Sequence, residues 1–203
     1  LLGPETVIGR ELARENTSSR SASTSFTALA WVILMSTGLT LRELVEAEFD
    51  EALPASGVDI KLVVERAPTE RTCAERDEFP LPPSVGRLIA ACEQRFGATL
   101  ICQRRRLFAG KGGINRPANL GAQISRLISR EMRCPITAGQ LPFLIGGLYL
   151  LHYPNEHETI RRFLRRATLA AVSDFYGFLA KDAKKVKLDD LVISHSNGEV
   201  GRS

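Results

Sequence analysis

The sequence predicts a mainly α-helical fold with a small antiparallel β-sheet, an α+β class. Three observations predict it. Apolar residues recur at helical spacing along most of the chain, as in Val85, Leu88, Ile89, Cys92 and Phe96. One stretch changes period, with Val58, Ile60, Leu62 and Val64 alternating as in a strand. The prolines Pro80, Pro82 and Pro83 then close the extended segment before helical spacing resumes.

The bounds are those of an ordinary globular protein. A chain of 203 residues can bury one sizeable core or two small ones. A formal charge of +4 permits a nucleic-acid partner without requiring one. Cys73, Cys92, Cys102 and Cys134 form no C-x-x-C pair, so buried thiols in a reducing compartment are expected rather than a zinc or redox site. The apolar run Phe26 to Leu39 is interrupted by Ser36 and Thr37 and falls short of the roughly 20 residues a membrane helix needs. No signal peptide is visible, and a cytoplasmic protein without a membrane partner is expected. The start without Met suggests a fragment of a longer protein.

Residues 1–22 are polar, and the Ser/Thr-rich run from Asn16 to Thr24 suits a linker or N-terminal extension. The main domain is expected over 23–193, with a flexible tail over 194–203. Ser23 to Ser25 offer N-caps for a helix over about 25–37, with Phe26, Leu29, Val32 and Ile33 inward. Gly38 can end it. A short helix follows from Thr40, with Leu41, Leu44 and Val45 inward. The strand and a second extended segment ending at Phe79 suggest a hairpin with a charged, irregular tip.

The helix from Val85 precedes a basic run, Arg104, Arg105 and Arg106, and a Gly-rich loop over 109–113 that includes Lys111. The next helix, over about 118–132, buries Leu120, Ile124, Leu127, Ile128 and Met132. Leu141 to Tyr153 is apolar almost all round, which predicts a central buried helix. Glu156 to Arg166 forms another, with Ile160, Phe163 and Leu164 inside. Thr168 caps a last helix with Leu169, Val172, Phe175, Tyr176 and Leu179 on one side, and Lys181 to Ile193 reads as a charged, partly helical tail.

Five segments together resemble a known family. Ser36 to Leu44 (STGLTLREL) is similar to T-G-L-R-x-x-E-L. The hairpin before Pro80-Leu81-Pro82 looks like a sheet that leads into a P-L-P helix start. Leu107 to Gly113 (LFAGKGG) is similar to L-F-P-G-x-G-G. Thr137 to Leu144 is similar to T-x-H-x-x-R-H-x. Arg161 to Leu164, followed by Phe175-Tyr176, is similar to the closing helices. In this order they resemble the catalytic domain of the tyrosine recombinases, the phage-integrase family, and the likeness implies an integrase-like fold. It also implies attack of the Tyr176 hydroxyl on a DNA phosphate. In the family two arginines and a histidine stabilise the transition state, a further His or Trp supports the site, and a hairpin lysine protonates the leaving oxygen.

Position by position, the polar set is missing. Thr40 stands where the first arginine belongs, Gly139 and Pro142 where the H-x-x-R pair belongs, and Arg166 where the supporting histidine belongs. The hairpin tip, Arg66 to Arg71, has no lysine, and arginine is a poor general acid. Each lost donor typically removes about 2.7–4 kcal/mol of transition-state stabilisation. A phenol without activating partners is a weak nucleophile, and Tyr176 equally suits a half-buried core position.

Arg161, Arg162, Arg165 and Arg166 read as phosphate contacts or as a solvated face with local pairing of Arg165 and Arg166 to Glu158. Arg104, Arg105, Arg106 and Lys111 form a second basic cluster that reads either as DNA contacts or as a charged strand end. Its glycines do not fit a P-loop. His152 and His157 are five apart and do not make a helical metal pair, so neither metal nor cofactor is expected.

The expectation is therefore a DNA-associated, catalytically impaired protein of recombinase type, with duplex DNA, a related recombinase or a second copy as partner. The C-terminal segment would carry the protein contact. Two alternatives stay open. One is an active site-specific recombinase that uses Arg42, Arg66, Arg71 or Arg166 as phosphate ligands. The other is a protein-interaction module that reuses the fold.

Overall fold

The structure is a computed structural model and describes residues 4–14, 18–49, 60–66, 75–96, 108, 117–133, 135–165 and 168–183. It is mostly helical, with one small antiparallel sheet. The chain forms two compact units, Leu1–Pro142 and Phe143–Ser203.

The first unit is built around the helix Ser19–Thr37 (α2). Its start is set by Ser18, whose side chain accepts from the Ser21 backbone N–H at 3.1 Å. Gly38 ends it at φ 68°, a left-handed conformation that costs glycine little. From Ala28 to Leu34 every side chain is buried, Trp31 among them. The hydroxyls of Thr27 and Thr37 bond back to the carbonyls of Ser23 and Ile33, at 2.8 and 2.7 Å, which satisfies them inside the helix.

Residues 1–22, expected to be a linker, are in part a structured element. Pro4–Leu12 is a helix (α1), and its Val7 and Ile8 lie fully inside the core against α2. α2 also begins earlier than the Ser23–Ser25 caps expected from sequence. Two carboxylates hold this region. Glu11 is buried, accepts from the Ser21 hydroxyl and pairs with Arg14 at 3.0 Å. Glu131, at the end of the helix Pro117–Met132 (α5), accepts from Arg10 of α1 at 2.5 Å and from Arg130 at 3.0 Å. The Glu131 side chain is only 7% exposed. Burial alone would raise its pKa, but the two guanidinium hydrogen bonds outweigh that and hold it below the usual carboxylate range.

Leu41–Glu46 (α3) follows α2 and starts in a full capping box between Thr40 and Glu43. The sheet comes next, in the order Glu48–Phe49 (β1), Lys61–Arg66 (β2) and Glu75–Pro80 (β3), with both pairings antiparallel. Its register sets Val63 opposite Glu48 and Glu78, so the predicted hairpin is flanked by a short third strand. Leu62, Val64 and the preceding Ile60 face the core, as alternation predicts, and Val63 on the other face is buried too.

Pro83–Phe96 (α4) and α5 complete the core through Val85, Ile89, Cys92, Leu120, Ile124, Leu127 and Ile128. Met132, expected inside, is 38% exposed because the helix ends there and the next residue, Arg133, turns left-handed at φ 54°. A 3-10 turn, Ala138–Gln140, then leads into the helix Leu141–His152 (α6), whose first residues close the first unit.

The rest of α6 belongs to the second unit with His157–Phe163 (α7) and Leu169–Ala183 (α8). Its core is small: Leu150, Ile160, Val172 and Tyr176, flanked by Tyr149 and Leu164. The expectation that 141–153 is buried all round is corrected. Leu144, Leu148 and Leu151 project to the surface at i, i+4 and i+7, and Tyr153 beyond them is exposed. Of the α8 residues expected on one side of that helix, Val172 and Tyr176 are buried, whereas Leu169 and Phe175 are about half exposed. The Leu179 side chain, the Gly-rich loop over 109–113, the hairpin tip beyond Arg66 and the C-terminal tail lie outside the described residues.

The Arg10–Glu131 pair gives a test of whether α1 belongs to the folded unit. A carboxylate held at a lowered pKa contributes stability that is complete above the ordinary carboxylate range. That contribution is lost as pH falls through the lower, folded-state value. Glu131→Gln should therefore lower stability near neutrality by on the order of 1 kcal/mol, between exposed and buried pairs. It should also flatten the acid limb of the stability–pH curve, read by denaturant unfolding from pH 7 to the acid limit. An unchanged curve would show that this pair does not hold α1 in place.

Candidate functional site

Tyr176, the candidate nucleophile, sits in the middle of α8. The helix starts where Thr168 Oγ1 accepts from the Ala171 backbone N–H at 3.2 Å. Val172 and Tyr176, one turn apart, are its inward residues. Tyr176 is 3% exposed. Its hydroxyl donates to the carbonyl oxygen of Phe143 on α6 at 2.8 Å. Its ring meets Phe175 edge-on at 4.8 Å, and Phe175 in turn lies 5.2 Å from Phe143.

Gly146 makes room for this contact. A β-carbon there would stand 2.6 Å from the Tyr176 hydroxyl oxygen, 3.2 Å from its ring and 3.2 Å from Ile160. The phenol therefore occupies the space that any other residue at 146 would fill. Chemically this is a tie between helices. A carbonyl oxygen accepts the phenol's hydrogen bond but cannot take its proton, so this contact does not activate the oxygen as a nucleophile.

The positions that resemble the family's cationic set have local structural duties in the first unit. Thr40 is the N-cap of α3, and its hydroxyl and backbone N–H both donate to the Glu43 carboxylate, at 2.7 and 2.8 Å. Gly139 lies on the exposed 3-10 turn, with open space where a side chain would be. Pro142 is buried in the first turn of α6. Arg42, one of the replacement ligands considered, pairs with Glu46 at 3.1 Å along α3. Arg66 ends β2, and Arg71 and Arg166 lie outside the described residues.

On α7, Arg161 and Arg162 meet Glu158, and Arg166, one of the two residues expected to pair there, lies outside the described residues. Arg161 grips both carboxylate oxygens at 2.7 Å, and Arg162 donates to one at 3.0 Å. Hydrogen bonds from Arg161 first, then Arg162, bring the Glu158 pKa down to about 2, and the same pair raises that of Arg161. The spacing i, i+3 and i, i+4 was the readable signal for this fork. Arg165 follows at φ 50°, its backbone N–H donating to the Arg162 carbonyl at 3.0 Å. Arg104, Arg105, Arg106 and Lys111 lie outside the described residues.

Other chemistry finds little footing. Among the described residues no three His, Cys, Asp or Glu side chains are grouped to hold a metal. Cys92 is fully buried, and desolvation pushes its thiol up to about 12, which leaves it inert as a nucleophile. An open cleft of about 450 Å³ at the start of α1 and α4 is lined by Pro4, Thr6, Val32, Met35, Ser36 and Val85, with Glu5 at its edge. No described helix is long and apolar enough to cross a membrane. Comparison with protein-family models, with curated proteins and with solved structures found no match to this chain.

The Tyr176–Gly146 contact makes a quantitative prediction. Tyr176→Phe should cost about 0.5–1.5 kcal/mol, the usual worth of one hydrogen bond. Gly146→Ala should cost about 1–3 kcal/mol through overpacking, less a gain of up to about 1 kcal/mol in helix propensity. Combined, the two should cost less than their sum, by about 1 kcal/mol, because removing the hydroxyl removes the closest clash. Denaturant unfolding of the four proteins measures this coupling, and strict additivity would contradict the contact.

Proposed function

We propose that this chain is a DNA-associated protein with the layout of a tyrosine-recombinase catalytic domain, and that it binds duplex DNA without cutting it. The observation that carries the reading is the Tyr176 hydroxyl, buried and donated to the Phe143 carbonyl. Three further features support it. Helices, a small antiparallel sheet and more helices follow one another in the order on which the resemblance rests. Thr40 is occupied in a capping box where a phosphate-binding arginine would be needed. Gly139 offers no donor side chain at all. With these groups absent, the excess charge of a pentacoordinate phosphorus would lack its stabilising cations. The protein would then act as an accessory factor that occupies or shapes DNA.

A second reading, a protein-interaction module, is favoured by one observation. Leu144, Leu148 and Leu151 form an exposed apolar stripe on α6, with Phe175 and Leu169 exposed on α8.

Incubation with nicked suicide duplexes, run beside a binding titration, tests the proposal. Duplex binding that weakens steeply with salt, without a covalent adduct, is the expected result. An adduct that disappears in Tyr176→Phe would establish the active alternative instead. Absent binding at low ionic strength would leave the interaction module.

A further inference from the structure

The first unit gathers arginines that lie far apart in sequence. Arg10 of α1 and Arg130 of α5 meet at the Glu131 carboxylate. Arg14, four residues beyond Arg10, pairs with Glu11, and Arg95 at the end of α4 donates to the Arg14 carbonyl oxygen at 2.5 Å. Arg126 lies one turn before Arg130 on α5 and Arg133 directly follows the end of that helix, and both are exposed.

Charge is sorted by depth in this cluster. The carboxylates of Glu11 and Glu131 are 6% and 7% exposed, whereas the side chains of Arg10, Arg14 and Arg130 are 49%, 59% and 54% exposed. The two acids are spent on holding α1 in place, and the guanidiniums above them face solvent. Arg10, Arg14 and Arg130 thus stand over Glu11 and Glu131, Arg95 reaches the Arg14 carbonyl and Arg126 and Arg133 are exposed near Arg130 in the chain, a local excess of positive charge at the ends of α1, α4 and α5. Every cation in this group is an arginine, whose planar fork grips a phosphate through two hydrogen bonds. Arg161 and Arg162, by contrast, share an exposed carboxylate that competes with any phosphate.

Resting on the DNA-associated reading above, we infer that this arginine surface, formed by the ends of α1, α4 and α5, is where the protein meets the phosphate backbone of duplex DNA. Charge complementarity selects a regular polyanion. The cations are spread over three helices, as sequence-independent backbone contact needs.

The test is the salt dependence of binding by the full chain to a short mixed-sequence duplex. Arg126→Gln/Arg133→Gln leaves the Glu11 and Glu131 pairs intact. It should lower the slope of log K against log salt by about 1.8, roughly 0.9 for each lost phosphate contact. Arg126→Lys/Arg133→Lys should keep most of that slope, and Arg161→Gln/Arg162→Gln should keep all of it. If the wild type binds and Arg126→Gln/Arg133→Gln keeps its slope, this surface is overturned while DNA association stands. A Lys variant that loses as much as the Gln variant, or an equal loss in Arg161→Gln/Arg162→Gln, also overturns it. No binding by the wild type at low salt overturns the DNA-associated reading itself.

Discussion

The first unit depends on the burial of the middle of one helix. From Ala28 to Leu34, α2 presents no polar side chain, and α1, α3, α4 and α5 all pack on it. A helix apolar on every side has to be surrounded, which fixes how many neighbours it needs. That requirement explains α1. Residues 4–12 have modest helical character of their own, but Val7 and Ile8 cover a side of α2 that would otherwise meet water. The ion pairs of Arg10 and Arg14 then secure a helix whose apolar face is narrow.

The second unit is organised on a smaller scale by a polar contact inside an apolar one. Its core has few large side chains, so the Tyr176 ring and hydroxyl count for much of it. Gly146 is the structural counterpart of Tyr176, since a side chain there would collide with the phenol. A tyrosine engaged in this way marks the difference between a packing contact and a reacting group. The proposed non-cutting role follows from that difference together with the missing cations, whereas the fold alone is compatible with many functions.

Much of the fold was legible in the sequence. Periodicity located α2 through α8, the change to alternation located β2, and Gly38 and Pro80 marked two boundaries. What escaped had physical reasons. The polar run around Asn16–Thr24 has the composition of a linker, yet Ser18 caps a helix and Ser21 bonds a buried carboxylate. Such a role depends on a distant partner. In α6, apolar residues on all sides gave no way to tell which would be covered, and Leu144, Leu148 and Leu151 are not. The site was legible only in part. The Glu158 fork follows from local spacing, but the meeting of Arg10 with Arg130 at Glu131, and of Arg14 with Arg95, joins distant positions that no local pattern connects.

The most direct measurement concerns the phenol itself. The chain has three tyrosines, and their exposures differ: Tyr153 is open, Tyr149 is partly covered and Tyr176 is enclosed. Nitration with tetranitromethane, followed by mass spectrometry of the peptides, reads each one separately. The account predicts fast modification of Tyr153, slower modification of Tyr149, and protection of Tyr176 until the protein unfolds, with or without duplex DNA. Modification of Tyr176 in the native protein at the rate of Tyr153, or its release by added duplex, would contradict it.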